Sequence, residues 1–226
     1  LINKDPHTYL PDKAITLINI SILKFHTKDL PGAEDGFHRA LQIYQNLKTP
    51  GTDIHLPDKA VALSNLAITQ LELNNIDTAE ITFNKVICIY SHLSKSSPMV
   101  YQPYIAGNLL NISGLHIRKK DFTAAEDALK QASNIYSNLA EVNPHAFSLD
   151  DGRTSLNLSQ FYQEYLPNKE NSLKYANEAM IAIFPFTESI PEANDMVGTI
   201  ICIVTKWGKD PKIFLHEIWE QVKNFK

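Results

Sequence analysis

Apolar positions recur at a helical interval along most of the chain. Between residues 57 and 74, Val61, Leu63, Leu66, Ala67 and Leu71 fall on one face of a 3.6-residue period. Pro57 stands where a first turn would be, and a missing N–H costs little there. Asn74-Asn75 breaks the run. A second run follows with Ala79, Phe83, Val86, Ile87 and Tyr90, for which Asp77 is the expected N-cap. The polar stretch Ser94 to Pro98 then interrupts. The same reading predicts helices near 11–27 and 31–48, 57–74 and 77–94, 100–119 and 122–142, 150–165 and 169–184. Pro191 to Lys206 and Pro211 to Asn224 form a fifth, divergent pair. No segment shows the strict alternation of a half-buried strand, so the fold class is all-α.

The pairs repeat. Asn19, Asn65, Asn111 and Asn157 stand 46 residues apart. Leu10-Pro11-Asp12-Lys13-Ala14 returns as Leu56-Pro57-Asp58-Lys59-Ala60, and Ile43-Tyr44 returns as Ile89-Tyr90 and Ile135-Tyr136. A fixed period of this size marks an array in which each unit is one helix pair stacked on its neighbours. The expected repeats are 8–53, 54–99, 100–146 and 147–188, followed by a cap at 189–226, all within one domain. One residue is inserted near Leu166-Pro167.

The unit resembles a tetratricopeptide repeat. Ala33, Ala79 and Ala125 open the second helices. Phe37, Phe83 and Leu129 follow four later, and Ala40, Val86 and Ala132 three after that. On the first helices, Ile20-Ser21, Leu66-Ala67, Ile112-Ser113 and Leu158-Ser159 match the family's large-then-small pair, which lets helices approach closely. The aromatic expected late in the first helix is kept only as Tyr162; Lys24, Gln70 and His116 replace it elsewhere. The long unit is most similar to the kinesin-light-chain style of repeat, and similar units occur in bacterial signalling proteins. The resemblance implies a right-handed α-solenoid of stacked antiparallel pairs whose concave wall is built from first helices.

Asparagine is a poor helix-interior residue, so four recurrences need a reason. Each amide offers a donor and an acceptor, which suits a ladder that grips the backbone of an extended peptide, a use that the resemblance supports. The other reading is architectural, each amide bonding a neighbouring helix. Carried over by position, the rest of the wall is Ile15, Ile18, Ile22 and Phe25, then Val61, Ser64, Ile68 and Leu71, then Gly107, Leu110, Gly114 and Ile117, and finally Arg153, Leu156, Gln160 and Gln163. Such a wall fits an apolar or amphipathic segment. The lysine-arginine set with which some members clamp a terminal carboxylate is missing, which argues against that partner class.

Composition narrows the choice. The 226 residues are 44% hydrophobic and 20% charged, ample for a packed core. The net charge of −4 and only three arginines speak against nucleic acid, which needs a basic stripe. No apolar run reaches membrane-spanning length. Cys88 and Cys202 fit apolar packing better than a disulfide or metal site, which favours a reducing, cytoplasmic setting. The eight histidines show no metal-ligand spacing, and no phosphate loop or nucleophile elbow occurs, so neither cofactor nor catalysis is expected. Asn-x-Ser at 19, 111 and 157 falls inside helices and is set aside as a glycosylation signal. Arg118-Lys119-Lys120 suits a helix C-terminus. The stripe of Ile213, Phe214, Leu215, Ile218, Trp219 and Val222 caps the array, or else dimerises or leads into a further domain. The chain opens on Leu1, which leaves a fragment or a mature form open. The expected function is a non-catalytic module binding a protein or peptide in the groove, with a sensory or regulatory part of a larger signalling protein as the alternative. The oligomeric state is left open, a monomer being preferred.

Overall fold

The computed structural model describes residues 6–47 and 54–223. Among them are ten α-helices, one short 3-10 turn and no strand. The helices are α1 (Pro6–His26), α2 (Leu30–Asn46), α3 (Leu56–Glu72), α4 (Ile76–Ser94), α5 (Pro98–Arg118), α6 (Phe122–Val142), α7 (Pro144–Glu164), α8 (Lys169–Ile183), α9 (Pro191–Lys206) and α10 (Pro211–Val222). They fall into two compact units, Leu1–Leu115 and His116–Lys226.

Three first helices begin earlier than the hydrophobic pattern suggests. Pro6, Pro98 and Pro144 occupy equivalent repeat positions and start α1, α5 and α7, because a proline ring presets φ for a first helical residue. Pro11, expected at a helix start, therefore lies inside α1, and Pro103 lies inside α5. The second repeat has Thr52 at that position, and α3 starts at Leu56 with Pro57 in its first turn. The N-cap of α4 is Asn75; Asp77 sits within the first turn, where an acid complements the helix dipole. The end of the first expected repeat, residues 48–53, and the last three residues of the cap lie outside the described residues.

Within three pairs the two helices are joined by one device. Lys28, Asn74 and Lys120 adopt left-handed backbone, with φ of 66°, 63° and 58°. The next N–H reaches back over the last turn: Asp29 to Lys24 O, Asn75 to Gln70 O and Asp121 to His116 O, at 2.8–2.9 Å. These are Schellman closures, which satisfy carbonyls that the ended helix would orphan. The Asp29 and Asp121 carboxylates then cap the following helix by accepting from the N–H groups of Gly32 and Ala124. The fourth link holds the inserted residue, and Asn168 caps α8 instead.

In the first unit, α1 pairs with α2 and α3 with α4; α2 packs on α3 and α1 touches α3. Ala33, Phe37 and Ala40 are fully buried there with Ala62 and Leu66. Burying one such phenylalanine contributes about 2–3 kcal/mol. Tyr101 and Ile105 of α5 pack on Ala60, Val86 and Tyr90. In the second unit, α6 packs on α7, α7 pairs with α8, and α9 and α10 close over α8. Small residues set the closest approach: Ser159 Oγ donates to Ser172 O and Ser172 Oγ to Ser159 O, at 2.7 and 2.8 Å.

Candidate binding surface

The first helices stand side by side within each unit. In the first, α1 touches α3, and Ser64 Oγ of α3 donates to Asn108 Oδ1 of α5 at 2.8 Å. The Asn108 amide in turn donates to Tyr104 O, so this buried asparagine ties two first helices together. It escapes the repeat analysis because its equivalents are Thr16, Ala62 and Thr154; its one sequence signal is an amide inside a helix. In the second unit α7 meets α9, where Gln163 Nε2 donates to Ile203 O at 3.3 Å.

The predicted residues divide on this framework. Asn19 is exposed, while Asn65, Asn111 and Asn157 are half-buried. Asn65 Nδ2 donates to Val61 O of its own helix at 2.9 Å, a bond that neither reading of the series foresaw. Ile22, Ile68 and Leu110 are half-buried on α1, α3 and α5, as is Ile117 in the last turn of α5. Leu71 is only 8% exposed and belongs to the core. Ile18 and Leu156 are core residues too. Gln160 is half-buried on α7. Arg153 is already engaged: Nη1 donates to Asp150 Oδ1 at 2.6 Å, and Nη2 and Nε to Glu192 Oε1 at 2.7 and 3.1 Å, so its guanidinium ties α7 to α9. Leu71 is thus buried, and Arg153 is held between Asp150 of its own helix and Glu192 of α9.

Two of the three polar residues that replace the family's aromatic find partners on the second helix or its cap, while His116 Nδ1 is buried without a hydrogen bond. Lys24 pairs with Asp29 at 3.6 Å, and Gln70 Oε1 accepts from Thr82 Oγ1 at 2.9 Å. Tyr162, which keeps the aromatic, stacks on Tyr175 with centroids 5.8 Å apart and donates to the Glu126 carboxylate. Lys130 Nζ approaches the same carboxylate at 2.5 Å. Hydrogen bonds from Lys130 first and Tyr162 second hold Glu126 below the ordinary carboxylate range, while burial and Glu126 push the Tyr162 hydroxyl up to about 12.

Clefts of about 560 Å3 open on the other side, between second helices. One lies between α2 and α4 with Leu63, Leu66 and Gln70 at its floor. Another lies between α6 and α8 and holds Glu141, Asp151 and Glu178. Burial raises Asp151, opposed by the Ser137 hydroxyl that donates to it at 2.6 Å and reinforced by Glu141. Burial likewise raises Glu178, which Lys174 partly offsets. Among the described residues no trio of metal-ligating side chains converges, and no helix is long and apolar enough to cross a membrane.

The fold is that of the tetratricopeptide class, an all-α array of stacked antiparallel helix pairs. It is similar to the crystal structure of BtubC (BKLC) from P. vanneervenii, with a TM-score of 0.70 at 13% identity over 99% of this chain and 83% of that one. It is similar to the nearly identical TPR-like repeats of a putative kinesin light chain from Podosopora anserina, with a TM-score of 0.64 at 10% identity over 95% of each chain. The apo form of RapI gives 0.60 at 16% identity, over 86% of this chain and 69% of that one. No protein-family model and no curated protein matches the sequence.

Proposed function

We propose that this chain is a non-catalytic protein-interaction module that binds a peptide or partner segment along its first helices. The observation behind this reading is the α1–α3–α5 wall of the first unit. Ile22, Ile68 and Leu110 stay partly exposed there beside the amides of Asn65 and Asn111. Half-exposed apolar side chains next to amides suit a ligand that buries an apolar residue and presents backbone to the amides. The fold supports the same reading, because a repeat array spreads its surface along a row of helices rather than around one pocket.

The test is selection of peptides from a displayed random library on the whole chain, followed by affinity measurement on an Asn65→Ala, Asn111→Ala double variant. Alanine is the better helix former, so the variant keeps the wild-type circular dichroism. Selected peptides are expected to lose at least about tenfold in affinity, the equivalent of one or two hydrogen bonds. Peptides that bind the variant as tightly as wild type, or a library that yields none, would sink the reading.

A further inference from the structure

The cleft between α6 and α8 differs from its counterpart in the first unit, although both measure about 560 Å3. Among the residues that line the α2–α4 cleft are Gln45, Leu63 and Lys85. Two repeats further on, allowing for the inserted residue, the same positions hold Ser137, Ser155 and Glu178, and all three line the α6–α8 cleft. Glu141 and Asp151 line it as well, with Asp151 standing where α3 has Lys59. Leucine and lysine are exchanged for serine and carboxylates, so the acidity of this cleft does not come from the repeat pattern.

Three carboxylates share the cleft, and among the described residues no lysine, arginine or histidine lines it. Lys174 reaches Glu178 from outside the lining at 3.8 Å, a pair whose side chains are 59% and 43% exposed. Such an exposed pair contributes little. Beyond burial, which is the main cause for both groups, Glu141 raises Asp151 and Asp151 raises Glu178, so the carboxylates repel one another. A fourth polar group points the same way. Ser155 is 3% exposed and lines the cleft, and its hydroxyl makes no hydrogen bond among the described residues. A buried hydroxyl without a partner is costly unless something enters to meet it. The carboxylates do not converge on one point, as a divalent ion would require. Ile181, Ala182 and Pro185 add apolar wall beside them, which suits the methylene stem of a long cationic side chain. Of the lining residues, Glu141 and Pro144 are exposed, so a side chain can enter while still attached to its backbone.

We propose that this cleft receives a lysine or arginine side chain of a partner polypeptide, its stem on Ile181, Ala182 and Pro185 and its charged head among Glu141, Asp151 and Glu178, with the Ser155 hydroxyl accepting from it. The cleft is separate from the α1–α3–α5 wall, so the two binding surfaces stand or fall independently.

The experiment is a chemical-shift titration of the isotope-labelled full chain with Nα-acetyl-lysine N-methylamide and Nα-acetyl-arginine N-methylamide up to about 50 mM, the range in which a millimolar contact fills. At least one probe is expected to shift the amides from Ser148 to Ser155 and from Glu178 to Ala182 saturably. Nα-acetyl-norleucine N-methylamide, which keeps an apolar stem and lacks the charge, is expected to leave them in place. The Asp151→Asn, Glu178→Gln double variant keeps the shape of both side chains, so it should show wild-type circular dichroism and bind at least about tenfold more weakly. The Asn65→Ala, Asn111→Ala variant should bind like wild type, which separates this cleft from the first-helix wall. The proposal is overturned if neither charged probe shifts these amides saturably, if the norleucine probe shifts them equally, or if the double variant binds undiminished. Putrescine binding more than about tenfold tighter than both charged probes would assign the cleft to a free diamine and overturn it too.

Discussion

Single residues carry most of the geometry at the turns. Lys28 and Lys120 hold left-handed backbone that a Cβ disfavours by roughly 1 kcal/mol, whereas Asn74 tolerates the same region. Lys120→Gly is accordingly expected to raise stability by up to about 1 kcal/mol, and Asn74→Gly to change it little, both read by urea denaturation. Equal effects at the two sites would show that the left-handed turn is not the determinant. Gly152 gives the opposite sign. A Cβ there would stand 2.4 Å from Ile183 Cγ2 and 3.2 Å from the Ala179 carbonyl. Gly152→Ala is expected to cost about 1–3 kcal/mol, although alanine favours the helix itself by about 1 kcal/mol. The glycine was visible in the sequence, but nothing local marks it as a point where α8 crowds α7.

Between elements, the recurring contact is a tyrosine at the end of one second helix against the start of the next first helix. Tyr44, Tyr90 and Tyr136 are buried, and burial raises the pKa of each. Their main neighbours are Asp58, Tyr104 and Asp150, one repeat apart from one another. The repeated Leu-Pro-Asp-Lys-Ala motif is thereby explained in part, since its aspartate faces the preceding repeat. A second tie is the Tyr162–Glu126–Lys130 group, which joins α6 to α7. Tyr162→Phe is expected to cost about 1–2 kcal/mol, because Glu126 loses one of its two strong donors. Glu126 titrates below its unfolded value, so its contribution is present above that value and is lost as pH falls through the folded one. The thermal midpoint of wild type should therefore drop more steeply than that of Tyr162→Phe below about pH 4.5. Asp151 has the reverse sign: burial raises it, so its ionised form destabilises at neutral pH and the cost disappears on acidification. Asp151→Asn keeps an acceptor for Ser137 and is expected to raise the midpoint at pH 7 by about 1–2 °C, a gain that vanishes under acid.

At the level of the whole chain, stability should vary along the array, since each pair is supported mainly by its neighbours. Helix α7 buries eight residues between Gly152 and Tyr162. Helix α10 buries only Phe214 and Ile218, and the described part of α1 only Ala14, Ile18 and Ser21. Hydrogen exchange under dilute, monomeric conditions is expected to be fastest in α1 and α10 and slowest in α3 and α7. Uniform protection across all ten helices would mean that the chain opens as one cooperative block instead.

The sequence by itself determined the all-α class, the pairing of helices and the identity of the packing residues. Those properties follow from interactions between residues three to eight apart, which leave a periodic trace. Ala33, Ala79 and Ala125 are fully buried as the small-residue pattern requires. Where that local logic had competing signals it misplaced a boundary: the proline at 11 looked like a helix start, and a proline five residues earlier takes that role in α1. Only the tertiary structure decided which face of each helix remains open, because burial depends on elements distant in the chain. Leu71 and Ile68 look alike in the repeat, yet one is core and the other half-exposed. Arg153 looked free to meet a ligand until α9 brought Glu192 against it. Ile20 holds the repeat position of Leu66, Ile112 and Leu158, and of the four it alone is exposed.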